Sequence, residues 1–519
     1  MRHAFRFGSV AFGVILLAAG MASAVKTPAI FGDNMVLQQG LKLPVWGTAA
    51  PGEAVTVSVG AVTAKATAGE DGRWRVELAA VKGQGVQPLT MTIAGATNTL
   101  TYTNVLLGEV WVCSGQSNME FPLSGATNAA QEIAAATQDA IRLFKVEKAV
   151  ADKPQDDVKA QWVIVSTQSV KGFSAIGYLF AREVHQALGV PVGMIGTYWG
   201  GTLAQAWTSR DVLEADPVLA PMVKIADESA AKPEIAKAAF DANLKKWEAD
   251  AAKAKAAHGP PPHKPSWVEP ARSPNRPANL FNAMLAPLIP FAMRGALWYQ
   301  GESNAGMPEQ YARLFPAMIN DWRTRWGEGD FPFYFVQLAG YNPTNWPWLR
   351  ESQQRTLSLS NSGMAVAIDV GNEKNIHPVN KQTVSHRLAV IALHDVYGKT
   401  DVVCHGPEFD TLKVEGKKAR LSFRNAEGLC LAVGVTNPPP FLIAGADRHF
   451  VPAQSKIEGE TVTVWNEAVA APVAVRYAWS GYFPGGFLYN KAGLPMPPFR
   501  TDSGPYDMPE GGPAPVKAK

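Results

Sequence analysis

Ser117 and His377 are the two residues of this chain whose types and surroundings point to covalent chemistry. Ser117 lies in Gly108-Glu109-Val110-Trp111-Val112-Cys113-Ser114-Gly115-Gln116-Ser117-Asn118-Met119-Glu120, in the turn directly after an apolar run. In an open parallel sheet, ligands bind beyond the carboxyl ends of the strands, so a serine there is placed to act as a nucleophile. Gly115 permits a tight turn, and if a helix starts nearby the amide of Ser117 itself points at a developing oxyanion. The competing reading is that Ser-Gly-Gln-Ser-Asn is turn-forming composition and nothing more. A serine hydroxyl needs a base to remove its proton during attack, and histidine is the usual one.

Of nine histidines, His3 belongs to the N-terminal leader. His258 and His263 fall in a polar insertion, His185, His386 and His394 fall inside predicted helices, and His405 and His449 lie in late strand-like text. His377 alone follows an apolar run, in a loop just before Pro378 and a helix. A loop histidine beside a helix-starting proline is the alternative reading. Two further strand ends carry polar groups. Gly200 and Gly201 allow close backbone approach to a ligand, and Gln300-Gly301-Glu302-Ser303-Asn304 brings amide side chains to the same edge. Together these loops supply a nucleophile, oxyanion donors and a base.

The elements that must position them read as an α/β protein. Residues 25–104 alternate in short segments, Leu41 to Gly47, Ala54 to Val59, Gly72 to Leu78 and Leu89 to Ile93, which predicts a β-sandwich domain. From Val105 the text changes to continuous apolar runs separated by helical stripes, the pattern of parallel strands covered on both faces. The runs are Val105 to Cys113, Trp162 to Ser166, Val190 to Thr197, Gly295 to Gln300, Phe333 to Leu338 and Met364 to Val370. Ser174 to Leu188 is a predicted helix with Ser174 as N-cap. The stripe from Tyr311 to Trp322 predicts another, kinked or delayed by Pro316.

The hydrolase-like domain thus spans 105–400, with a helical insertion at about 212–275 whose Ala/Lys/Glu-rich core, Ala226 to Ala257, reads as a solvated face. Strands recur after 400, at Lys418 to Phe423, Glu460 to Trp465 and Val473 to Trp479, predicting a C-terminal β domain (401–519) with an irregular tail.

Composition limits what such a protein does. At 519 residues it is long enough for about three domains. A balance of 48 basic against 45 acidic side chains lacks the excess that nucleic-acid binding needs. Residues 1–24 combine Arg2, His3 and Arg6, an apolar run from Phe7 to Gly20 and Ala22-Ser23-Ala24, the pattern of a cleaved signal peptide. A periplasmic or secreted location, without stable membrane insertion after cleavage, is the expectation. Three cysteines exclude a disulfide scaffold and no zinc-ligand spacing is present, so no metal or other cofactor is expected. Cys404 and Cys430 are candidates to pair.

The motifs as a set resemble the sialate O-acetylesterases, within the wider SGNH-hydrolase grouping. The likeness rests on Gly115-Gln116-Ser117-Asn118-Met119, Trp298-Tyr299-Gln300-Gly301-Glu302-Ser303-Asn304 and Ile376-His377-Pro378 with Lys381. It extends to Asp33-Asn34-Met35-Val36-Leu37-Gln38 near the start. Tyr477-Ala478-Trp479, Leu488-Tyr489-Asn490 and Pro498-Phe499-Arg500 carry it near the end. The resemblance implies an SGNH-like parallel-sheet domain with Ser117 as nucleophile and His377 as base. The amides of Ser117 and Gly201 with the side chain of Gln300 or Asn304 would then hold the oxyanion.

The chain departs from the pattern where relatives carry Asp two or three positions before the histidine, since Asn375 and Lys374 stand there. The group orienting His377 is therefore Asn375 or a carbonyl, ahead of Glu373, Asp369 or Glu302, unless Ser117 and His377 work as a dyad. Gln116, Glu302, Trp199 and Arg276 are the candidate substrate contacts, with Arg272 and Arg276 suited to a sialate carboxylate or else to a surface ion pair. The implied activity is removal of O-acetyl groups from carbohydrates, sialate first. Acetylxylan or another acetylated polysaccharide is the alternative substrate, and a catalytically inactive carbohydrate-binding protein the alternative class.

Overall fold

In the computed structural model, residues 24–83, 85–342, 345–432 and 436–504 are described; the leader and the C-terminal tail lie outside them. The central element is β1 (Thr99–Gly115), a 17-residue strand. Its side chains alternate in exposure as far as Asn104 and are buried without exception from Val105 onward. The switch at Val105 is therefore real, but no chain break accompanies it: one strand leaves a two-faced sheet and enters a core covered on both sides.

The outer half of β1 pairs antiparallel with Leu89–Ala94, which pairs in turn with Ala54–Val59. Leu43–Thr48 and Arg73–Leu78 form a separate antiparallel pair. The strand Val36–Gln38 lies parallel to Leu106–Gly108 of β1.

The inner half of β1 sits mid-sheet. In chain order the other strands are β2 (Ile141–Lys145), β3 (Trp162–Ile164), β4 (Val192–Tyr198), β5 (Gly295–Tyr299), β6 (Phe333–Gln337) and β7 (Ser362–Val366), and their spatial order is β7-β6-β5-β1-β4-β2-β3. All neighbours are parallel except β3, which runs antiparallel to β2. Two expectations change here. The run at Trp162 is an antiparallel edge strand, and β2 was hidden because Arg142 interrupts its apolar text. The run from Met364 also stops as a strand at Val366 and turns through a short helix at Ile368–Val370.

Two helix pairs pack on this sheet: α2 (Ala175–Leu188) against α5 (Lys381–Asp395), and α3 (Pro308–Trp326) against α4 (Trp346–Arg355), while α1 (Ser117–Glu120) is a single turn after β1. Ser174 caps α2, its Oγ accepting the Gly177 amide at 3.1 Å. Pro316 neither delays nor ends α3, which starts at Pro308 and runs through it. One missing donor is outweighed by the stripe Tyr311, Leu314, Phe315, Met318 and Trp322, all fully buried. The insertion is two helices, Ala220–Ala231 and Pro233–Ala256, broken where Pro233 forces Lys232 out of helical geometry. The longer one buries none of its residues.

Among the described residues the later strands form three antiparallel sheets, one around Lys418–Arg424 and Thr461–Trp465, one around Phe441–Ala444 and Ala474–Tyr477, and a two-stranded pair of Cys430–Leu431 with Leu488–Tyr489. Cys113, Cys404 and Cys430 are all free, Cys404 buried and Cys430 exposed, so the candidate pair Cys404 and Cys430 is not joined.

Candidate active site

The strand order places a topological switch at β1, because the chain adds β4 on one side of it and β5 on the other. Ligand crevices form at such points, beyond the carboxyl ends. The loops after β1, β4 and β5 carry Ser117, Gly200-Gly201 and Gln300 to Asn304, and the loop after β7 brings in His377. The His377 Nε2 and Ser117 Oγ are 2.8 Å apart, 260 residues distant in sequence.

The nucleophile turn is built on Gly115. Its φ is +135°, and a Cβ there would fall 2.3 Å from the Tyr299 carbonyl oxygen. The Gln116 amide donates to that same oxygen at 3.0 Å. Ser117 then opens α1, whose first carbonyl, that of Gln116, accepts the amides of Met119 and Glu120. Among the described residues neither the Ser117 amide nor the Gly201 amide donates to a protein acceptor. Gly200 lies so close that a Cβ on it would come within 3.1 Å of the Ser117 Cβ.

Gln300 and Asn304 divide their labour. Both amide hydrogens of Gln300 are engaged, by the Thr202 carbonyl at 3.2 Å and Asn304 Oδ1 at 2.6 Å. Asn304 Oδ1 also takes the Ala204 amide, and its Nδ2 donates to Gln205 Oε1 at 3.1 Å. An N–H is therefore left over on Asn304 and not on Gln300, whose side chain fixes the Thr202–Gln205 loop instead.

Several expected substrate contacts are internal ties. Gln116 Oε1 accepts the Ser303 amide at 3.2 Å, holding the loop after β5. Arg276 is ion-paired with Asp227 of the insertion at 2.9 Å, the surface-pair reading rather than the ligand reading. Glu302 has a buried carboxylate that accepts Asn118 Nδ2 at 2.6 Å. Trp199 stays half-buried at the rim, with Lys148 Nζ 5.5 Å from its ring and paired to Glu120 at 2.5 Å, whereas Trp207, Trp298 and Tyr299 are fully buried in the core.

The side chain of Asn375 accepts the backbone amide of His377 at 2.9 Å and makes no bond to the ring. Among the described residues no carboxylate comes within ion-pair distance of the imidazole. Asp369 is bound bidentately by Arg387 and by the Tyr489 hydroxyl. The expected role of Asn375 as ring orienter is thus corrected to a cap on the loop. Burial, and secondarily the ammonium of Lys381, hold the His377 imidazole below its ordinary pKa. Lys381 is itself buried, which lowers its pKa to about 7 against the opposing pull of Glu302, and burial raises Glu302. Asn118 and Lys381 are the site residues given no role by sequence reading, although both stand inside the motifs.

A family model described as carbohydrate esterase, sialic acid-specific acetylesterase, matches residues 270–392. The sialate O-acetylesterase of Mus musculus is 30% identical, over 94% of this chain and 97% of its own length. The chain belongs to the sialate O-acetylesterase family. The Homo sapiens sialate O-acetylesterase is 28% identical over 91% of this chain and 92% of its own. The crystal structure of a carbohydrate acetylesterase from Xanthomonas citri superposes with a TM-score of 0.78 at 35% identity, covering 93% of this chain and 100% of that one. As a member of the sialate O-acetylesterase family the protein is a carboxylic ester hydrolase.

Proposed function

We propose that the protein is an exported carbohydrate O-acetylesterase, acting on sialate O-acetyl esters through Ser117 and His377 as a dyad. The 2.8 Å contact between Ser117 Oγ and His377 Nε2, at the switch point of the sheet, carries this reading. Ser117 attacks the acetyl carbonyl while His377 takes its proton. The tetrahedral oxyanion sits among the amides of Ser117 and Gly201 and the remaining N–H of Asn304. His377 then protonates the departing sugar oxygen, and water activated by the same ring hydrolyses the acetyl-enzyme. The loops named all come from strand ends of one sheet, which supports an SGNH-type hydrolase unit with β domains before and after it. Export is supported by the basic start and apolar run of residues 1–24.

Ser117→Ala is expected to lower acetate release from O-acetylated sialic acid by roughly a thousandfold or more, and stoichiometric labelling by an organophosphonate should disappear with it. Full turnover by that variant overturns the assignment. Acetate release from acetylated xylan, measured beside the sialate, decides the substrate, because the dyad itself sees only the ester.

A further inference from the structure

A buried ammonium next to a base that has no carboxylate of its own needs a reason. Lys381 Nζ donates to Asn118 Oδ1 at 2.5 Å, and lies 4.7 Å from the ring centroid of Phe121 and 5.4 Å from that of Tyr299. Asn118 Nδ2 donates to Glu302 Oε1 at 2.6 Å and to the Ile376 carbonyl at 3.0 Å. Both amide hydrogens of Asn118 and its oxygen are thus engaged by three elements: the loop after β5, the residue just before His377 and the first residue of α5. Asn118 is also the residue just after Ser117.

Resting on the dyad reading above, we propose that Lys381, Asn118 and Glu302 form a positioning relay. It locks the histidine loop onto the nucleophile turn and sets a positive charge, rather than the carboxylate of a triad, beside the imidazole.

Two consequences follow from this arrangement. First, the bond to the Ile376 carbonyl anchors the backbone next to the ring, and Asn375 caps the His377 amide on the other side, so that among the described residues the ring is held without a bond to Nδ1. Second, the charge adds to burial, the larger effect, in disfavouring the imidazolium, so His377 stays a neutral base to lower pH than a free histidine does. Around the ring the facing groups are the Ser117 hydroxyl, the Phe121 ring at 6.3 Å and the Lys381 ammonium. Glu302 faces the ammonium and not the ring.

The pH dependence of kcat/KM on an aryl acetate tests the relay. The acid limb of the wild-type enzyme is expected below the ordinary histidine value of about 6.5. Lys381→Gln keeps a donor for Asn118 but removes the charge, and is expected to move that limb upward with a lower kcat. Lys381→Arg keeps the charge, and its limb should stay at the wild-type position. A wild-type limb above 6.5, an unmoved limb in Lys381→Gln, or a limb in Lys381→Arg shifted as far as in Lys381→Gln would each overturn the proposal. A wild-type limb above 6.5 overturns the proposal even if a variant fails to fold. Organophosphonate labelling of Ser117 in the same preparations separates failure of the relay from failure of the dyad, because labelling lost in the wild type sinks the dyad itself.

Discussion

At the scale of single residues, Asn375 shows how a position is readable while its contact is not. Its place two before His377 pointed to the ring, yet its oxygen accepts the backbone amide of His377. The two roles predict different losses. Removing a hydrogen bond of this kind costs about 1 kcal/mol, so Asn375→Ala should lower kcat by no more than about tenfold. Disabling a ring-orienting triad member costs about ten thousandfold. Steady-state kinetics on an aryl acetate distinguishes these at once, and a loss in the thousands would restore Asn375 to the ring. Ser117 and His377 were legible because their residue types combined with strand-end positions. Gln116, Gln300, Glu302 and Arg276 were legible as site neighbours only. Whether a polar side chain meets a ligand or an adjoining loop depends on the partner across space, and Gln116, Gln300, Glu302 and Arg276 find theirs in Ser303, Thr202, Asn118 and Asp227 respectively, 49 to 187 residues away in sequence.

At the scale of elements, the apolar runs revealed most of the sheet because a strand buried on both faces has little room for polar residues. β2 escaped because Arg142 sits inside it, and the reversed direction of β3 escaped because direction is a property of pairing. The short turn between β1 and α1 is where element geometry governs chemistry most directly. Gly115 combines a φ of +135° with a Cβ direction blocked at 2.3 Å by the Tyr299 carbonyl, so both backbone strain and a backbone clash oppose any side chain. Gly115→Ala must push β1 and β5 apart at their carboxyl ends, where Ser117 and the Gln300 loop begin. A displacement near 1 Å is enough to cost roughly a hundredfold in kcat. The variant should therefore lose activity out of proportion to its loss of thermal stability. A Gly115→Ala enzyme with wild-type kcat would mean that the turn is not strained as described.

At the scale of the whole molecule, the motifs near the chain ends act as sutures. Asp33 accepts the amide and hydroxyl of Thr103, and Asn34 accepts Asn104 Nδ2, which fastens the N-terminal segment to β1. Arg350, fully buried, donates to the carbonyls of Leu338 and Ala339 and to those of Ser480 and Gly481, which fastens the late sheets to the central one. The densest suture is Glu109 on β1. Its carboxylate accepts from Gln38, Gln39, Arg294 and the Tyr397 hydroxyl, joining the N-terminal region, the approach to β5 and the end of α5. Truncating it leaves a guanidinium and two amides facing a void, a loss of the kind that costs about 3–5 kcal/mol for a broken buried pair. Glu109→Ala should thus lower the denaturation midpoint markedly. The strand from Glu109 to its end at Gly115 spans roughly 20 Å, so the catalytic edge is out of reach of the change. The fraction that remains folded should turn over aryl acetate at the wild-type rate. A folded Glu109→Ala protein of unchanged midpoint would show that this carboxylate, for all its partners, does not hold the regions together.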